Sequence, residues 1–302
     1  MYESGTAVFG PGIHVGHRSV LRIPEGGSLI AGQNVWIGND CEIGVGARIV
    51  IGEGTSIQHR SQLHGDVEIG DGCVFAANFY TSSAQHAFEY APTLPIRVQD
   101  RLAGGRPWAE RSRPVSIGND CWIGINVSVM PGVTIGRGCV IGANSVVTRD
   151  IPPYSVAVGS PCRVIRERLM YAPPKMIDAT NDAHLPYFYA GVAQRDANAE
   201  IGSTVVRVRD GLPANRDFTL ALDAASGDAV RLHVDAPCTG TLAHGNQVQP
   251  LNPGRSVLTF GAVQTRWQGL AFAWQPANTT DAATRIPALV VTRAEVLPAT
   301  SA

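Results

Sequence analysis

Several features that would indicate other classes of protein are scarce in this sequence. The 302 residues include one lysine, Lys175, and the 24 basic and 25 acidic residues leave a net charge of −1. This balance gives no electrostatic reason to bind nucleic acid or an anionic membrane. No run approaches the roughly 20 apolar residues of a membrane span, and MYESGTAVFGPGIHVG lacks a basic segment followed by an apolar one. We therefore expect a cytoplasmic protein with no membrane span and no nucleic-acid partner.

The remaining composition, 44% hydrophobic and 16% charged, is that of a globular protein, and its main pattern is a six-residue repeat. In SIGNDCWIGINVSVMPGVTIGRGCVIGANSVV, residues 116–147, an aliphatic residue occupies every sixth position. These residues are Ile117, Ile123, Val129, Ile135, Ile141 and Val147. Glycine, asparagine and aspartate, which tolerate positive φ, recur between them. The period predicts a parallel β-helix in which three hexads complete one coil and the aliphatic side chains stack inside.

The repeat also covers earlier segments of the chain. IGNDCE and IGVGAR, residues 37–48, precede a two-residue insertion, after which the pattern runs over residues 51–80. Degraded hexads upstream place the start of the prism near residue 5. Four of the six cysteines fall four residues after an aliphatic position, and they are Cys41, Cys73, Cys121 and Cys139. We interpret them as packed free thiols, because cysteine behaves as a small hydrophobic residue.

The rest of the chain departs from the repeat. Residues 81–114 form a long excursion, and such loops inside compact repeats are more often functional than incidental. Prolines end the coils after residue 151, and residues 163–168 are expected to form a short helix. From residue 204, strand-length segments separated by Gly, Pro, Asn and Asp predict an antiparallel β-sandwich-like or barrel domain. The expected organisation is a β-helix domain at 1–168, a linker at 169–203 and a β-domain of unknown role at 204–302.

The last coils, IGNDCWIGINVSVMPGVTIGRGCVIGANSVVTRDIPPYSVAVGSPCRVIRE, strongly resemble those of the hexapeptide-repeat, left-handed parallel β-helix acetyltransferases. This group contains galactoside, maltose and xenobiotic acetyltransferases and bacterial polysaccharide O-acetyltransferases. The resemblance covers residues 30–168 and is specific from 115 to 168. It implies an all-β left-handed prism, a homotrimer with active sites between subunits, and acetyl-CoA as co-substrate. It also implies a carbohydrate acceptor, such as a lipopolysaccharide O-antigen or a capsule.

The resemblance carries the family's general base over to His86, at the end of IGDGCVFAANFYTSSAQH. Histidine titrates near neutral pH and can take the proton of a sugar hydroxyl as it attacks the thioester, which contributes about 10²–10⁴ in rate. Many relatives carry an acidic residue or a second histidine before this base, and SSAQH does not. Glu89 and a backbone carbonyl are the two candidates for the group that orients His86. Asn78 also resembles a family residue, but its hexad position requires a turn former, so we interpret it as structural.

The resemblance further implies a cofactor site. Trp122 matches a family tryptophan that packs against the pantetheine arm of CoA, and the alternative is a surface tryptophan that shields a coil corner. The matching groove and phosphate positions are Ile125, Ala143, Thr148, Arg149, Arg163 and Arg166. Guanidinium groups bind phosphate bidentately, although arginines on a solvated surface are the alternative.

Other functions stay open at this point. An amino-sugar N-acetyltransferase would use the same residues. The γ-class carbonic anhydrases share the helix and hold zinc through three histidines, and His59 and His64 resemble two of those ligands. His14 and His17 do not supply a convincing third ligand, so we assign no metal site. A non-catalytic glycan-binding scaffold is the last alternative, and it predicts no effect of changing His86.

Overall fold

The structure is a computed structural model that describes residues 5–192, 210–225, 227–261, 269–277 and 289–298. The chain divides into two compact units, residues 1–170 and residues 171–302. The first unit is a parallel β-helix and the second is an antiparallel β-structure. This arrangement confirms the predicted all-β fold class.

The β-helix unit consists of short strands interrupted by a helical excursion. Its first strands are β1 (Thr6–Phe9), β2 (His14–Val15), β3 (Val20–Arg22), β4 (Ser28–Ala31), β5 (Trp36–Ile37), β6 (Glu42–Ile51), β7 (Ser56–Ile57), β8 (Gln62–Ile69), β9 (Val74–Phe75) and β10 (Tyr80–Ser82). The excursion carries α1 (Ile96–Gly104) and α2 (Trp108–Arg111). The later strands are β11 (Val115–Ile117), β12 (Trp122–Ile123), β13 (Ser128–Val129), β14 (Thr134–Ile135), β15 (Val140–Ile141), β16 (Val146–Val147), β17 (Ser155–Val158) and β18 (Arg163–Glu167).

Strands of successive coils pair in parallel and form three sides of a prism. Side one contains β1, β4, β11, β14 and the second halves of β6 and β8. Side two contains β2, β5, β7, β9, β12, β15 and β17. Side three contains β3, β10, β13, β16 and the first halves of β6 and β8. The strands β6 and β8 therefore continue around the corner between sides three and one, where the two-residue insertion lies.

One aliphatic or aromatic residue of each hexad points into the prism. On side two, Ile123 stacks between Phe75 and Ile141, and all three are buried. Complete burial of such a side chain typically stabilises a fold by about 1.5–3 kcal/mol. At the corner between sides one and two, Cys73 and Cys121 are buried free thiols in successive coils. Cys41 and Cys139 are also buried and free, which confirms the interpretation of the four cysteines as packed thiols.

The corner between sides two and three depends on asparagine. Asn78, Asn126 and Asn144 have φ values of 63°, 57° and 58°, a conformation that asparagine adopts more readily than most residues. Nδ2 of Asn78 donates to Oδ1 of Asn126 over 2.8 Å, and Nδ2 of Asn126 donates to Oδ1 of Asn144 over 2.9 Å. Asn78 thus has the structural role in a turn that the hexad pattern predicts.

Two local expectations were wrong. Residues 163–167 form strand β18, not a helix, because they pair antiparallel with β17 at the end of side two. Residues 169–203 are not simply a linker. Within them β19 (Met176–Asp178) and β20 (Ala190–Val192) are strands of the second unit, and the 3₁₀-helix Asp182–Tyr187 lies between them. Residues 193–203 of the expected linker lie outside the described part of the chain.

The second unit is a strongly curved antiparallel sheet. Its further strands are β21 (Leu212–Ala221), β22 (Ala229–Ala236), β23 (Gly240–His244), β24 (Gln247–Leu251), β25 (Gly254–Phe260), β26 (Gly269–Pro276) and β27 (Leu289–Leu297). The order is β24-β23-β26-β21-β27-β22-β25, with Phe218, Phe260 and Trp274 in the core. Side-chain amides of Gln247 and Gln249 on β24 donate to backbone carbonyls that follow or belong to β25, so the sheet curls back on itself. Residues 204–209, where the predicted strand-length segments begin, lie outside the described part of the chain.

No helix in the described part of the chain has the length and apolar character that a membrane span requires.

Candidate functional site

The excursion presents His86 beside a carboxylate. Nδ1 of His86 lies 2.7 Å from Oδ2 of Asp100, which belongs to α1. The other oxygen of Asp100 accepts the backbone N–H of Ala87 over 2.7 Å. The helix that carries Asp100 begins after Pro95, and the buried side chain of Gln99 ties it to the preceding loop through bonds to the backbone of residues 91 and 94. Asp100 is therefore held in place from two directions.

The Asp100 carboxylate determines which nitrogen of His86 carries the proton. The backbone N–H of Ala87, followed by the imidazole, lowers the pKa of the Asp100 carboxyl. An ionised carboxylate only accepts hydrogen bonds, so Nδ1 of His86 is the donor. The neutral ring then has an unprotonated Nε2. The side chain is 84% exposed, so this nitrogen is open to a reactant.

Asp100, and not Glu89, thus orients His86. Glu89 instead lines a cavity beside the imidazole. No local pattern in the sequence identifies Asp100, because it lies fourteen residues after His86 in a segment without periodicity. Helix α1 carries Asp100 back to His86, and the only sequence features that indicate this helix are Pro95 and the apolar residues near it.

Two adjoining cavities meet at His86. One, of about 410 Å³, lies within the excursion and is lined by Phe88, Tyr90 and charged residues that include Arg106. The other, of about 520 Å³, lies against side three and includes Tyr80, Ser82, Met130 and Pro131. His86, Asp100 and Arg111 line both cavities. A reactant in either cavity can therefore reach the imidazole.

Most of the predicted cofactor residues lie on or beside side two, away from His86. Trp122 points outward from this side and is 58% exposed. Ile125 and Ala143 are exposed at the edge of the same side, one coil apart. Arg166 pairs with Val156, which lies two coils above Trp122, and Arg163 precedes Arg166 on the same strand. The structure thus brings these five residues to one continuous outer surface of the prism.

Thr148 and Arg149 lie elsewhere. They follow Val147 on side three, at the corner from which the excursion leaves, and both are exposed. At this corner, Met130 lies one coil below Thr148 and Ser82 lies two coils below it. Both residues line the larger cavity at His86. Neither cavity at His86 is lined by any of the seven predicted cofactor residues. In a single chain, the residues of the predicted site therefore lie in two separate places, on side two and at the corner after side three.

The histidines considered for zinc are not brought together. Nδ1 of His59 accepts the backbone N–H of Asn39, and its ring packs edge-on against Trp36. His64 instead packs against Tyr80 on side three. In the described residues no group of three or more His, Cys, Asp or Glu side chains could hold a metal ion.

Comparison with known proteins gives a family match within the β-helix unit and several relatives. Residues 48–78 and 114–149 match the family of bacterial transferase hexapeptide proteins (six repeats). A probable acetyltransferase of Mycobacterium tuberculosis is 36% identical over 156 residues, 52% of this chain and 42% of the relative. The galactoside O-acetyltransferase of Escherichia coli is 40% identical over 138 residues, 45% of this chain and 62% of that enzyme. The chain thus spans about half the length of these relatives.

Solved structures give a similar match. The maltose O-acetyltransferase of Clostridium difficile is 33% identical, over 52% of this chain and 70% of that chain, with a TM-score of 0.33. The family match lies in the same part of the sequence as the six-residue repeat and the coils that the repeat forms. The β-helix unit thus contains bacterial transferase hexapeptide repeats, and the chain is similar to acetyltransferases over about half of its length.

Proposed function

We propose that the protein transfers an acetyl group from acetyl-CoA to a hydroxyl group of a carbohydrate, with His86 as the general base. The observation that carries this proposal is the exposed His86–Asp100 pair at the junction of two cavities. Two relatives named as acetyltransferases, one of them a galactoside O-acetyltransferase, support the reaction class. The second unit has no assigned part in this chemistry.

The proposed chemistry uses both nitrogens of His86. Nε2 takes the proton of the acceptor hydroxyl as its oxygen attacks the thioester carbonyl, and the carbon–sulfur bond then breaks. The proton on the imidazole can pass to the departing CoA sulfur, so the histidine returns to its neutral form. Asp100 holds Nδ1–H throughout and stabilises the imidazolium that forms between the two transfers.

The outer surface of side two fits acetyl-CoA as a substrate. Trp122 and Ile125 expose apolar area that suits the pantetheine arm. Arg163 and Arg166 donate to backbone carbonyls over 2.8 and 3.2 Å, and among the described residues no carboxylate pairs with either guanidinium. They therefore keep donors for the phosphates of the nucleotide.

A homotrimer would complete this site. In one chain, Trp122 lies on side two while His86, Thr148 and Arg149 lie at the corner after side three. A second copy that places its side two against that corner would combine both groups in one groove. We therefore propose that the acetyl donor binds between subunits, with the base from one subunit and the tryptophan from the next.

The acceptor is proposed to be a sugar or a bacterial surface polysaccharide, such as O-antigen or capsule. The cavity within the excursion combines aromatic Phe88 and Tyr90 with charged side chains, and the guanidinium of Arg106 lies 4.9 Å from the centre of the Tyr90 ring. Such a surface offers both an apolar face and hydrogen-bond partners to a polyhydroxylated ring. Because acetyl-CoA is a cytoplasmic metabolite, we propose that the reaction takes place in the cytoplasm.

The test is acetyl transfer by the full chain. The protein is incubated with acetyl-CoA and a panel of neutral, acidic and amino sugars and their oligomers. Release of the CoA thiol is followed with a thiol reagent, and the products are analysed by mass spectrometry. Treatment of the product with mild alkali distinguishes an O-acetyl ester, which is cleaved, from an N-acetyl amide, which is not.

The proposal predicts an alkali-labile product with wild-type protein and none with His86→Ala. An alkali-stable product would instead identify an amino-sugar N-acetyltransferase. Equal rates of acetyl transfer by wild type and His86→Ala would show that His86 is not the general base. CoA that fails to bind in calorimetry, together with no turnover on any sugar, would contradict the acetyltransferase as a whole and favour the scaffold alternative.

A further inference from the structure

A carboxylate at the base of the excursion joins the excursion to the coils. Oδ2 of Asp66 accepts Nε1–H of Trp108 over 2.6 Å and the hydroxyl of Ser112 over 2.5 Å. Oδ1 of Asp66 accepts the backbone N–H groups of Ala47 and Arg48 over 2.6 and 3.0 Å. Trp108 and Ser112 belong to the end of the excursion, whereas Ala47 and Arg48 belong to β6. One side chain therefore connects the end of the excursion with the coil below Asp66.

The same network includes the start of the excursion. The backbone N–H of Asp66 donates to Oγ of Ser83 over 2.9 Å, and Ser83 and Ser112 share a hydroxyl–hydroxyl bond of 2.7 Å. The backbone N–H of Arg113 donates to the carbonyl of Ser83 over 2.7 Å. Both serines are buried. The two ends of the excursion are thus joined, three residues before His86.

The backbone is shaped to admit these contacts. Gly46 lies under the indole of Trp108, and a Cβ at position 46 would collide with that ring. Gly65 has a φ of +87°, and a Cβ there would collide with Oγ of Ser83. Larger residues at either position would displace the groups that meet at Asp66. Gly46 and Gly65 therefore leave the space that Trp108 and Ser83 need to reach Asp66.

We infer that Asp66 is a positioning residue for His86. This inference rests on the proposed function, because it concerns the alignment of the base in that reaction. Asp66 does not reach the reacting atoms. It holds both ends of the segment 84–111, which carries His86, Asp100 on α1 and Arg111 at the cavities. A misplacement of a catalytic group by about 1 Å can lower the rate about 10²-fold, so a loosened base of the excursion would reduce turnover.

The first test measures the excursion itself. Amide hydrogen exchange of the full chain is followed by mass spectrometry in wild type, Asp66→Asn and Asp71→Asn. Asparagine keeps the shape of aspartate, but its amide nitrogen cannot accept the bonds that one carboxylate oxygen accepts. Asp71 is the matched control, because its Oδ1 accepts the backbone N–H of Glu53 over 2.9 Å and its other hydrogen bonds, to Asn119, also lie within the coils.

The inference predicts that Asp66→Asn raises exchange in residues 84–111 by about tenfold or more, while residues 115–158 exchange as in wild type. Asp71→Asn is expected to leave residues 84–111 at the wild-type rate. Unchanged exchange of the excursion in Asp66→Asn would overturn the inference. An equal rise in both variants would also overturn it, since it would show general destabilisation.

The second test measures turnover. In Asp66→Asn we expect a fall of about tenfold or more in kcat with an unchanged KM for acetyl-CoA, because the base is displaced while the surface of side two is intact. Trp108→Phe removes the indole N–H and replaces the two-ring indole by a smaller ring, but it leaves the bonds of Asp66 to Ser112 and β6 in place. It should show a smaller change in the same direction, and it carries the test if Asp66→Asn does not fold. An unchanged kcat in both variants would overturn the positioning role. If wild type transfers no acetyl group, the proposed function fails, and the positioning role fails with it even where the exchange result stands.

Discussion

Nδ1 of His86 and Oδ2 of Asp100 lie 2.7 Å apart, although the two residues are separated by fourteen positions and belong to a loop and a helix. This pair explains how a solvent-exposed histidine can have a fixed tautomer. Because Asp100 also accepts the backbone N–H of Ala87, it cannot turn away without losing a second bond. The position of the base is therefore defined by the excursion and not by the coils alone.

Asp100→Asn is expected to lower kcat for acetyl transfer with little change in KM for acetyl-CoA. A neutral amide can still accept from Nδ1–H, but it stabilises the imidazolium less than a carboxylate does. The loss should be smaller than in His86→Ala, which removes the base. Asp40→Asn is the control, since Asp40 pairs with Arg18 in the first coils. Equal kcat values for Asp100→Asn and Asp40→Asn would contradict a role of Asp100 in the reaction.

Trp122→Ala is expected to weaken CoA binding about tenfold or more, because an aromatic contact with the ligand is lost. Calorimetric titration of CoA measures the change in Kd. Trp36→Ala is a matched control on the same side of the prism, three coils lower, where the indole packs against His14 and His59. If both variants bind CoA like wild type, the proposed groove on side two is wrong.

The carboxyl groups of Asp66 and Asp71 are expected to affect stability in opposite directions as the pH falls. Burial acts to raise the pKa of Asp66, but two backbone and two side-chain hydrogen bonds outweigh it and lower the pKa. Burial raises the pKa of Asp71. Asp66 therefore stabilises the fold above its unfolded pKa of about 3.9, and this contribution is lost as the pH falls through the lower folded value. Asp71 stabilises the fold below its unfolded pKa of about 3.9, and this stabilisation is lost as the pH rises through its higher folded pKa.

Thermal unfolding between pH 7 and pH 3 checks these signs. The difference in Tm between wild type and Asp66→Asn should shrink on acidification. For Asp71→Asn, the stability of wild type relative to the variant should instead increase. Parallel curves for wild type and Asp66→Asn would show that the bonded carboxylate does not contribute to stability in this way.

Ile123→Ala is expected to reduce the free energy of unfolding by about 2–5 kcal/mol, because it leaves a cavity between Phe75 and Ile141 in the core column. Val74 points outward from the same side and is half exposed, so Val74→Ala should change stability by no more than about 0.5 kcal/mol. Urea unfolding at a fixed chain concentration gives both values. Similar losses in the two variants would contradict the inward and outward assignment of side two.

Asn126→Ala is expected to destabilise the coils more than Asn126→Gly. Both changes remove the bonds to Asn78 and Asn144, but only glycine adopts the φ of 57° without strain. Urea unfolding of the two variants compares them directly. A less stable glycine variant would show that the left-handed conformation is not what limits substitution at this corner.

The coils could be predicted from the sequence because their period is local. Each inward residue, such as Ile123, is followed after four positions by a small buried side chain and after six by the next inward residue. The pairing of β18 with β17 could not be predicted in this way. The segment that contains Arg163 is short and exposed, and only its partner strand decides between helix and strand.

The candidate site was predictable only in part for a similar reason. His86 was identified from its resemblance to a family residue and its place on the excursion. Asp100 and Asp66 lie far from it in the sequence, and no periodicity links them to it. The helices of the excursion and the corner insertion create these contacts, so they become visible only when the tertiary structure is known.

The role of His86 as general base is tested most directly by comparing the rates of acetyl transfer by His86→Ala and wild type. The rates are measured at saturating acetyl-CoA with a sugar that wild type acetylates. Loss of the base predicts a fall in kcat of about 10²–10⁴, with wild-type affinity for CoA and an unchanged Tm. A variant that transfers acetyl groups at the wild-type rate would contradict the claim that His86 takes the proton of the acceptor.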